Sequence, residues 1–349
     1  MPPASSSGRK APLAAVFGCA GPRLTEDERA LFRDADPFGL ILFRRNCETP
    51  AQVRALTDSF RELVGRADAP VLVDQEGGRV QRLRPPVWPS LPPMRRIGEL
   101  AERDPDAGVE AARLAGRLLA EMLRPLGVDV DCAPVADVLL PETTDAIGDR
   151  AFAADPDRVA VLCRALAAGL LRGGVLPVVK HLPGHGRALV DSHLETPRVT
   201  APLADLEAVD FMPFHALQAL PVAMVAHVVY TALDPVSPAS VSRKVIANII
   251  RGEFGFDGFL FSDDIVMEAL GGSQAQRAKA VLAAGCDAVL HCNGDFAQMA
   301  AIAAEIPSLT PEAVLRWERA RTYPVAEPDA FDAAQGHARL DALLTGATV

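Results

Sequence analysis

The feature that most constrains the fold of this chain is an alternation of strand-type and helix-type segments that repeats about eight times. The strand-type runs are mostly apolar throughout instead of alternating apolar and polar residues, as expected of parallel strands covered on both faces. Polar or charged residues follow most of these runs at once. The predicted strands are 13–18, 39–43, 70–73, 128–133, a fifth from 176, 222–226, 258–261 and 287–290.

Segments with helical spacing separate these strands. The predicted helices are 25–33, 50–64, 106–123, 155–172, 203–219, 243–253 and 273–284, followed by one or two closing helices. The simplest architecture with this order is a single-domain α/β protein, a (β/α)8 TIM-type barrel over 11–349 with a disordered segment at 1–10. A doubly wound open sheet is the alternative, but no G-x-G-x-x-G turn follows the first strand and the sequence has no P-loop motif.

Composition excludes several classes of partner. With 49% apolar residues, the 349-residue chain can bury a large core. The formal net charge of −10 argues against a nucleic-acid partner or an anionic membrane surface, since both are themselves negative. No stretch approaches the ~20 apolar residues of a membrane span. We expect a monomer that needs no cofactor and no metal.

The cysteines and the first residues bear on the compartment. Six cysteines are scattered without a CxxC pair, which favours a reducing compartment and no disulfide scaffold. Arg9 and Lys10, followed by the apolar run 11–19, resemble a short signal peptide. That run is short, has Pro12 near its start and also makes a good first barrel strand. We therefore expect a cytoplasmic protein.

The fifth strand leads into the richest cluster of titratable residues. It ends in Lys180 and His181, and the loop that follows carries His185, Asp191 and His193. In a barrel, charged side chains at the carboxyl ends of strands and in the loops beyond them form the active site. Asp191 and His193 lie two apart, so in an extended segment the carboxylate can hold the imidazole as a proton donor. A solvated loop pair is the alternative.

Further candidates follow other strands. Asp263 comes directly after the seventh strand, beside Asp264, and one of the two acids is expected to cap a helix while the other lies at the barrel rim. Asp74 ends the third strand. Arg82, Arg150 and Lys180 could donate hydrogen bonds to sugar hydroxyls or phosphates, or form surface salt bridges instead.

A metal site is a weaker possibility. His181 and His185 have the i, i+4 spacing of a zinc-binding helix, but the intervening Leu-Pro-Gly cannot form a helix interior. A site made from these two residues, His193 and nearby carboxylates stays open.

Seven motifs in a fixed order together resemble one known family. The chain is similar to the β-N-acetylglucosaminidases of glycoside hydrolase family 3, in the single-barrel form of bacterial cell-wall recycling, from about residue 13 to about 290. The motifs are DQEGGRVQR (74–82), APVAD (133–137), IGDR (147–150), KHLPGHG (180–186), DSH (191–193), AHVVY (226–230) and GFDGFLFSDD (255–264).

The resemblance implies a retaining hydrolase and a role for each matching residue. The nucleophile is Asp263, and the general acid/base is His193 assisted by Asp191. The implied sugar-binding residues are Asp74, Arg82, Arg150, Lys180 and His181. The implied substrates are N-acetylglucosaminyl-1,6-anhydro-N-acetylmuramyl peptides, cut between the two sugars.

One departure leaves alternatives open. Where the family has Gly-His-Gly-Asp-Thr, this chain has Arg187 and Ala188 after Gly186. The loss of a carboxylate and a hydroxyl affects the expected resting conformation of the loop more than the chemistry. The alternatives are a family 3 β-glycosidase of other sugar specificity, a glycoside phosphorylase, a metal-dependent hydrolase and a non-catalytic sugar-binding protein.

Overall fold

Eight parallel strands close into a barrel in the computed structural model, which describes residues 10–190, 195–323 and 330–346. Each strand pairs with its neighbours in chain order, and the last pairs with the first. The predicted barrel is therefore confirmed, and the open-sheet alternative is wrong. The strands are β1 (Leu13–Phe17), β2 (Pro37–Leu42), β3 (Val71–Val73), β4 (Val130–Asp131), β5 (Leu176–Leu182), β6 (Val222–Val225), β7 (Phe259–Asp264) and β8 (Ala288–His291).

Helices cover the outside of this barrel. They are α1 (Glu26–Ala35), α2 (Pro50–Val64), α3 (Met94–Arg103), α4 (Pro105–Leu123), α5 (Pro156–Arg172), α6 (Leu203–Asp205), α7 (Met212–Ala216), α8 (Gln274–Ala284), α9 (Phe296–Glu305), α10 (Pro311–Arg321) and α11 (Ala333–Thr345). Two π-helical segments, Leu206–Asp210 and Val245–Glu253, and four short 3-10 helices are also present. Capping boxes at Thr25 and Ser273 begin α1 and α8, because each side chain bonds a free backbone N–H of the first turn.

The sequence patterns miss α3 and misjudge one other helix. No side chain caps α3 at Pro93, so the signal that usually marks a helix start is absent. The helix predicted at 203–219 is instead α6, a π-helical turn and α7, which ends at Ala216. Two small accessory sheets were also not predicted. One is the antiparallel pair Gln75–Gly77 with Val80–Gln81, and the other pairs Arg198–Val199 with Val229–Tyr230.

The barrel interior is apolar at one end and polar at the other. Side chains alternate along each strand, so one set points inward and the other packs under the helices. At the amino ends of the strands, Trp317 of α10 packs edge-on against Phe38 and Phe259, with ring centroids 4.9 and 5.3 Å away. This aromatic cluster packs the amino end of the barrel, while the polar side chains lie at the carboxyl end. None of the helices within the described ranges is long and apolar enough to cross a membrane.

The close crossing of α4 and α5 gives a prediction about stability. A Cβ atom at Gly116 would lie 2.1 Å from the carbonyl oxygen of Leu166, and one at Gly169 would lie 2.1 Å from that of Arg113. Since no real contact is that short, Gly116→Ala must separate the two helices. We expect it to lower the free energy of unfolding by about 1–3 kcal/mol in a urea titration.

A glycine in open space provides the control for this substitution. A Cβ atom at Gly271 would meet no atom within 4 Å, so Gly271→Ala should leave the free energy of unfolding nearly unchanged. Equal unfolding midpoints for the two variants would show that the α4–α5 crossing tolerates a methyl group.

Candidate active site

A cavity of about 270 Å³ opens at the carboxyl end of the barrel. Six of the eight predicted site residues line it, and the other two, Asp191 and His193, lie outside the described residues. The six are Asp74, Arg82, Arg150, Lys180, His181 and Asp263. Residues from β3, β5 and β7 thus meet in one space, as expected for a barrel rim.

The alternation of side chains explains why these particular residues reach the cavity. Phe259 and Phe261 of β7 belong to the barrel interior, so Asp263, two positions further, also points inward. Val178 places Lys180 in the same way on β5, and Leu72 of β3 places Asp74. The alternation therefore carries the inward set on to Asp263, and Asp264 beside it also lines the cavity.

Lys180 lies between two acids from the segment after β3. Asp74 follows the strand directly, and Glu76 belongs to the antiparallel pair that comes next. Its Nζ lies 2.9 Å from Asp74 Oδ1 and 2.6 Å from Glu76 Oε1. The Arg82 guanidinium bonds the other oxygen of Asp74 at 2.8 Å. Burial opposes ionisation of Asp74, but Lys180 and Arg82 outweigh it and hold its pKa well below the usual range. Burial opposes protonation of Lys180, but Asp74 and Glu76 outweigh it and raise its pKa, so all these groups stay charged.

Glu76 is a site residue that the sequence analysis did not single out. Arg150 forms a bidentate pair with it, Nε to Oε2 at 2.7 Å and Nη2 to Oε1 at 2.8 Å. The available signal was its place two residues after Asp74, which puts both carboxylates on one side of an extended segment. Gln75 between them turns away and accepts hydrogen bonds from the backbone N–H groups of Arg82 and Leu83.

Asp137 is a second residue that the sequence analysis missed. Its Oδ2 lies 2.7 Å from His181 Nδ1, and its Oδ1 accepts the backbone N–H of His185 at 2.7 Å. Burial opposes ionisation of Asp137, but the histidines outweigh it and lower its pKa. An ionised carboxylate only accepts hydrogen bonds, so Nδ1 of His181 carries the proton and Nε2 is left for a ligand.

Asp263 and its neighbour Asp264 have different surroundings, but neither caps a helix, because a turn follows them and α8 begins only at Gln274 with Ser273 as its cap. The expectation that one of the two acids caps a helix is therefore wrong. Burial would raise the pKa of Asp263, but the nearby His181 and His227 imidazoles lead the effects that lower it. Asp264 instead accepts the backbone N–H groups of Val266 and Cys292, and burial raises its pKa to about 6. Of these two neighbours, Asp263 is therefore the one whose pKa is lowered, while Asp264 holds the turn after β7.

The start of the loop after β5 is held by several contacts. Tyr230 donates its hydroxyl to the Gly184 carbonyl at 2.5 Å, and the Thr143 hydroxyl donates to Gly186 at 2.7 Å. Arg187 Nε lies 2.6 Å from Oδ2 of the buried Asp210. The arginine that departs from the family pattern thus forms an ion pair that fixes the beginning of the loop.

No three histidine, cysteine, aspartate or glutamate side chains are grouped to hold a metal ion in the part of the chain that the structure describes. His181 and His185 lie on the end of β5 and the turn after it, with ring centroids 5.7 Å apart. Their zinc-like spacing therefore does not come from a helix, in agreement with the sequence analysis.

The fold and the cavity together define a class of protein. A (β/α)8 barrel with ionised carboxylates among fixed hydrogen-bond donors at its carboxyl end is typical of an enzyme that binds a small polar ligand. The model of the "Glycosyl hydrolase family 3 N terminal domain" matches residues 11–321. The chain belongs to glycosyl hydrolase family 3, and it is a glycoside hydrolase.

Relatives and solved structures agree with this assignment. A beta-hexosaminidase of Bordetella avium is 44% identical over 306 residues, covering 86% of this chain and 85% of that protein. A beta-hexosaminidase of Nitrosomonas eutropha is 45% identical over 284 residues, covering 80% of each chain. The crystal structure of native NagZ from Neisseria gonorrhoeae superposes with a TM-score of 0.84 at 33% identity, covering 97% of this chain and 99% of that one.

Proposed function

We propose that this glycoside hydrolase is a retaining exo-β-N-acetylglucosaminidase with Asp263 as its nucleophile. The observation that carries the proposal is the ionised, inward-pointing Asp263 in a cavity that Lys180, Arg150 and Arg82 also line. A carboxylate kept ionised can attack an anomeric carbon, while the cations bind sugar hydroxyls. A cavity of about 270 Å³ has room for one terminal sugar. An enzyme that cuts within a polymer would need an open cleft instead.

The reaction has two steps with opposite proton transfers. In the first, Asp263 attacks the anomeric carbon, the glycosidic C–O bond breaks, and His193 gives a proton to the leaving oxygen. In the second, His193 takes a proton from water, and the resulting hydroxide displaces Asp263 from the anomeric carbon. Asp191 holds the imidazole and stabilises its charged form. The roles of Asp191 and His193 rest on the DSH motif.

We further propose that the sugar is N-acetylglucosamine released from anhydro-muropeptides in the cytoplasm. Curated relatives carry the name beta-hexosaminidase. One solved structure similar to this chain is NagZ from Neisseria gonorrhoeae in complex with N-trifluoroacetyl-D-glucosamine, with a TM-score of 0.84. The 2-acetamido group of the substrate is the feature that separates this activity from other family 3 specificities.

A comparison of aryl β-glycosides of N-acetylglucosamine, glucose and xylose tests the proposal. We expect kcat/KM for the N-acetylglucosaminide to exceed the other two by at least about 100-fold, since a site built to bind a polar group rejects analogues that lack it. Added phosphate should leave free N-acetylglucosamine as the product.

Each alternative has its own outcome in that assay. Equal rates for glucose or xylose would indicate another sugar specificity, and a sugar 1-phosphate product would indicate a phosphorylase. Loss of activity after exhaustive chelation would support a metal-dependent hydrolase. Sugar binding without turnover would identify a non-catalytic protein.

A further inference from the structure

Glu76 is a buried carboxylate that the proposed reaction does not use. Its side chain is 2% exposed, and it lines the same cavity as Asp263. Both of its oxygens are occupied: Oε1 accepts from Arg150 Nη2 and forms an ion pair with Lys180, and Oε2 accepts from Arg150 Nε. Burial opposes its ionisation, but Arg150 and Lys180 outweigh that cost and lower its pKa to about 2.

A count of donors shows what these contacts leave available. An ammonium group has three N–H donors, and Lys180 gives one to Asp74, while its Nζ also forms an ion pair with Glu76 Oε1 at 2.6 Å. A guanidinium has five, and Arg150 gives two to Glu76 and one from Nη1 to the carbonyl of Ala146. Lys180 therefore has N–H groups beyond the one given to Asp74, Arg150 has two beyond these three bonds, and both side chains line the cavity. Glu76 fixes the direction of these remaining donors because it holds both cations at once.

The balance of charges around the cavity also indicates a role for Glu76. Lys180, Arg150 and Arg82 carry three positive charges, while Asp74 and Glu76 carry two negative ones. The ionised Asp263 balances the remaining positive charge. Loss of the Glu76 carboxylate would leave two buried cations without their shared anion, free to turn towards Asp74 or Asp263.

We infer that Glu76 is a positioning residue for sugar recognition. It aims the free N–H groups of Lys180 and Arg150 at hydroxyl groups of the terminal sugar and keeps both cations from pairing with Asp263. The inference rests on the proposed function, since it concerns how that site recognises its sugar.

The test combines Glu76→Gln with a set of sugar analogues. The 3-, 4- and 6-deoxy derivatives of N-acetylglucosamine are assayed as competitive inhibitors of aryl N-acetyl-β-glucosaminide hydrolysis. In the wild type, we expect at least one analogue to bind about tenfold more weakly than N-acetylglucosamine, because its missing hydroxyl leaves a donor unpaired. In Glu76→Gln, that difference should fall below about threefold, with KM raised more than kcat is lowered.

This comparison separates a positioning role from a structural one. A merely structural role would weaken N-acetylglucosamine and every analogue by the same factor, since the lost interaction would not depend on the hydroxyl. Glu110→Gln is the matched control, because Glu110 forms a bidentate pair with Arg339 at 2.8 and 2.9 Å on the surface. It should leave all inhibition constants unchanged.

The outcomes also distinguish this inference from the proposed function. A wild type that does not hydrolyse the N-acetylglucosaminide would overturn the proposed function. Hydrolysis by the wild type with a uniform loss, or no loss, in Glu76→Gln would overturn only the role of Glu76. If Glu76→Gln does not fold, Glu76→Asp keeps the charge on a shorter side chain, and the tenfold difference should shrink in it as well. An unchanged difference or a uniform loss in that variant would reject the inference.

Discussion

Replacing Asp263 with alanine should lower kcat for an aryl N-acetyl-β-glucosaminide by about 10⁴-fold or more, a loss of the size seen when a covalent nucleophile is removed. The reason is geometric as well as chemical. Asp263 is the inward-pointing acid at the end of β7, and it is ionised beside His181 and His227. Asp264 also lines the cavity, but its Oδ1 accepts the backbone N–H groups of Val266 and Cys292 in the following turn.

Two further measurements make this expectation specific. Azide, added at high concentration to Asp263→Ala, should enter the space left by the carboxylate and attack the anomeric carbon in its place. The product should be an α-glycosyl azide, because Asp263 of the wild type attacks a β-glycoside from the α face. Asp257→Asn is the control, because Asp257 forms surface ion pairs with Arg316 and Arg319 away from the cavity. It should keep nearly full activity. Full activity in Asp263→Ala would end the assignment of the nucleophile.

The lowered pKa of Asp263 also fixes the sign of a pH effect. A carboxyl group whose pKa is lower in the folded state contributes stability above its unfolded pKa, and that contribution is lost as pH falls through the folded value. Because the pKa of Asp263 is lowered, its ionised, attacking form is fully present at neutral pH. Any decrease in kcat/KM caused by protonation of Asp263 should appear only below about pH 4.

Replacing His193 with alanine should lower kcat by about 10²–10⁴-fold for a substrate with a poor leaving group, the usual effect of losing a general acid. The loss in the first step should nearly vanish for a 2,4-dinitrophenyl glycoside, because that leaving group departs without a proton. Pre-steady-state release of dinitrophenol measures this step directly. A slow second step should then let the glycosyl-enzyme accumulate, since no base activates water.

His337→Ala is the control for this variant. His337 lies on α11, outside the cavity, so its loss should change neither kind of substrate. Equal losses in His193→Ala for good and poor leaving groups would show that this imidazole does not protonate the leaving oxygen. Asp191→Asn should reduce the same step by a smaller factor, because the imidazole would lose the charge that stabilises its protonated form.

The sequence alone determined the barrel and most of its polar rim. Long apolar runs that end in charged residues mark parallel strands and their carboxyl ends, so Asp74, Lys180 and Asp263 were predictable from local pattern. The ordered motifs added the family and the roles of Asp191 and His193. These features were readable because each depends on residues that are neighbours in the chain.

Only the tertiary structure decided which of these charges meet. Lys180 lies between Asp74 and Glu76, and Asp137 supports His181, through contacts between segments distant in sequence. Arg187, which departs from the family pattern, has its partner in Asp210 of a π-helical turn. A strand pattern shows which face a side chain takes, but closure of the barrel decides its neighbours. Pairing energies, and hence pKa values, depend on those distances and on burial, which no local pattern contains.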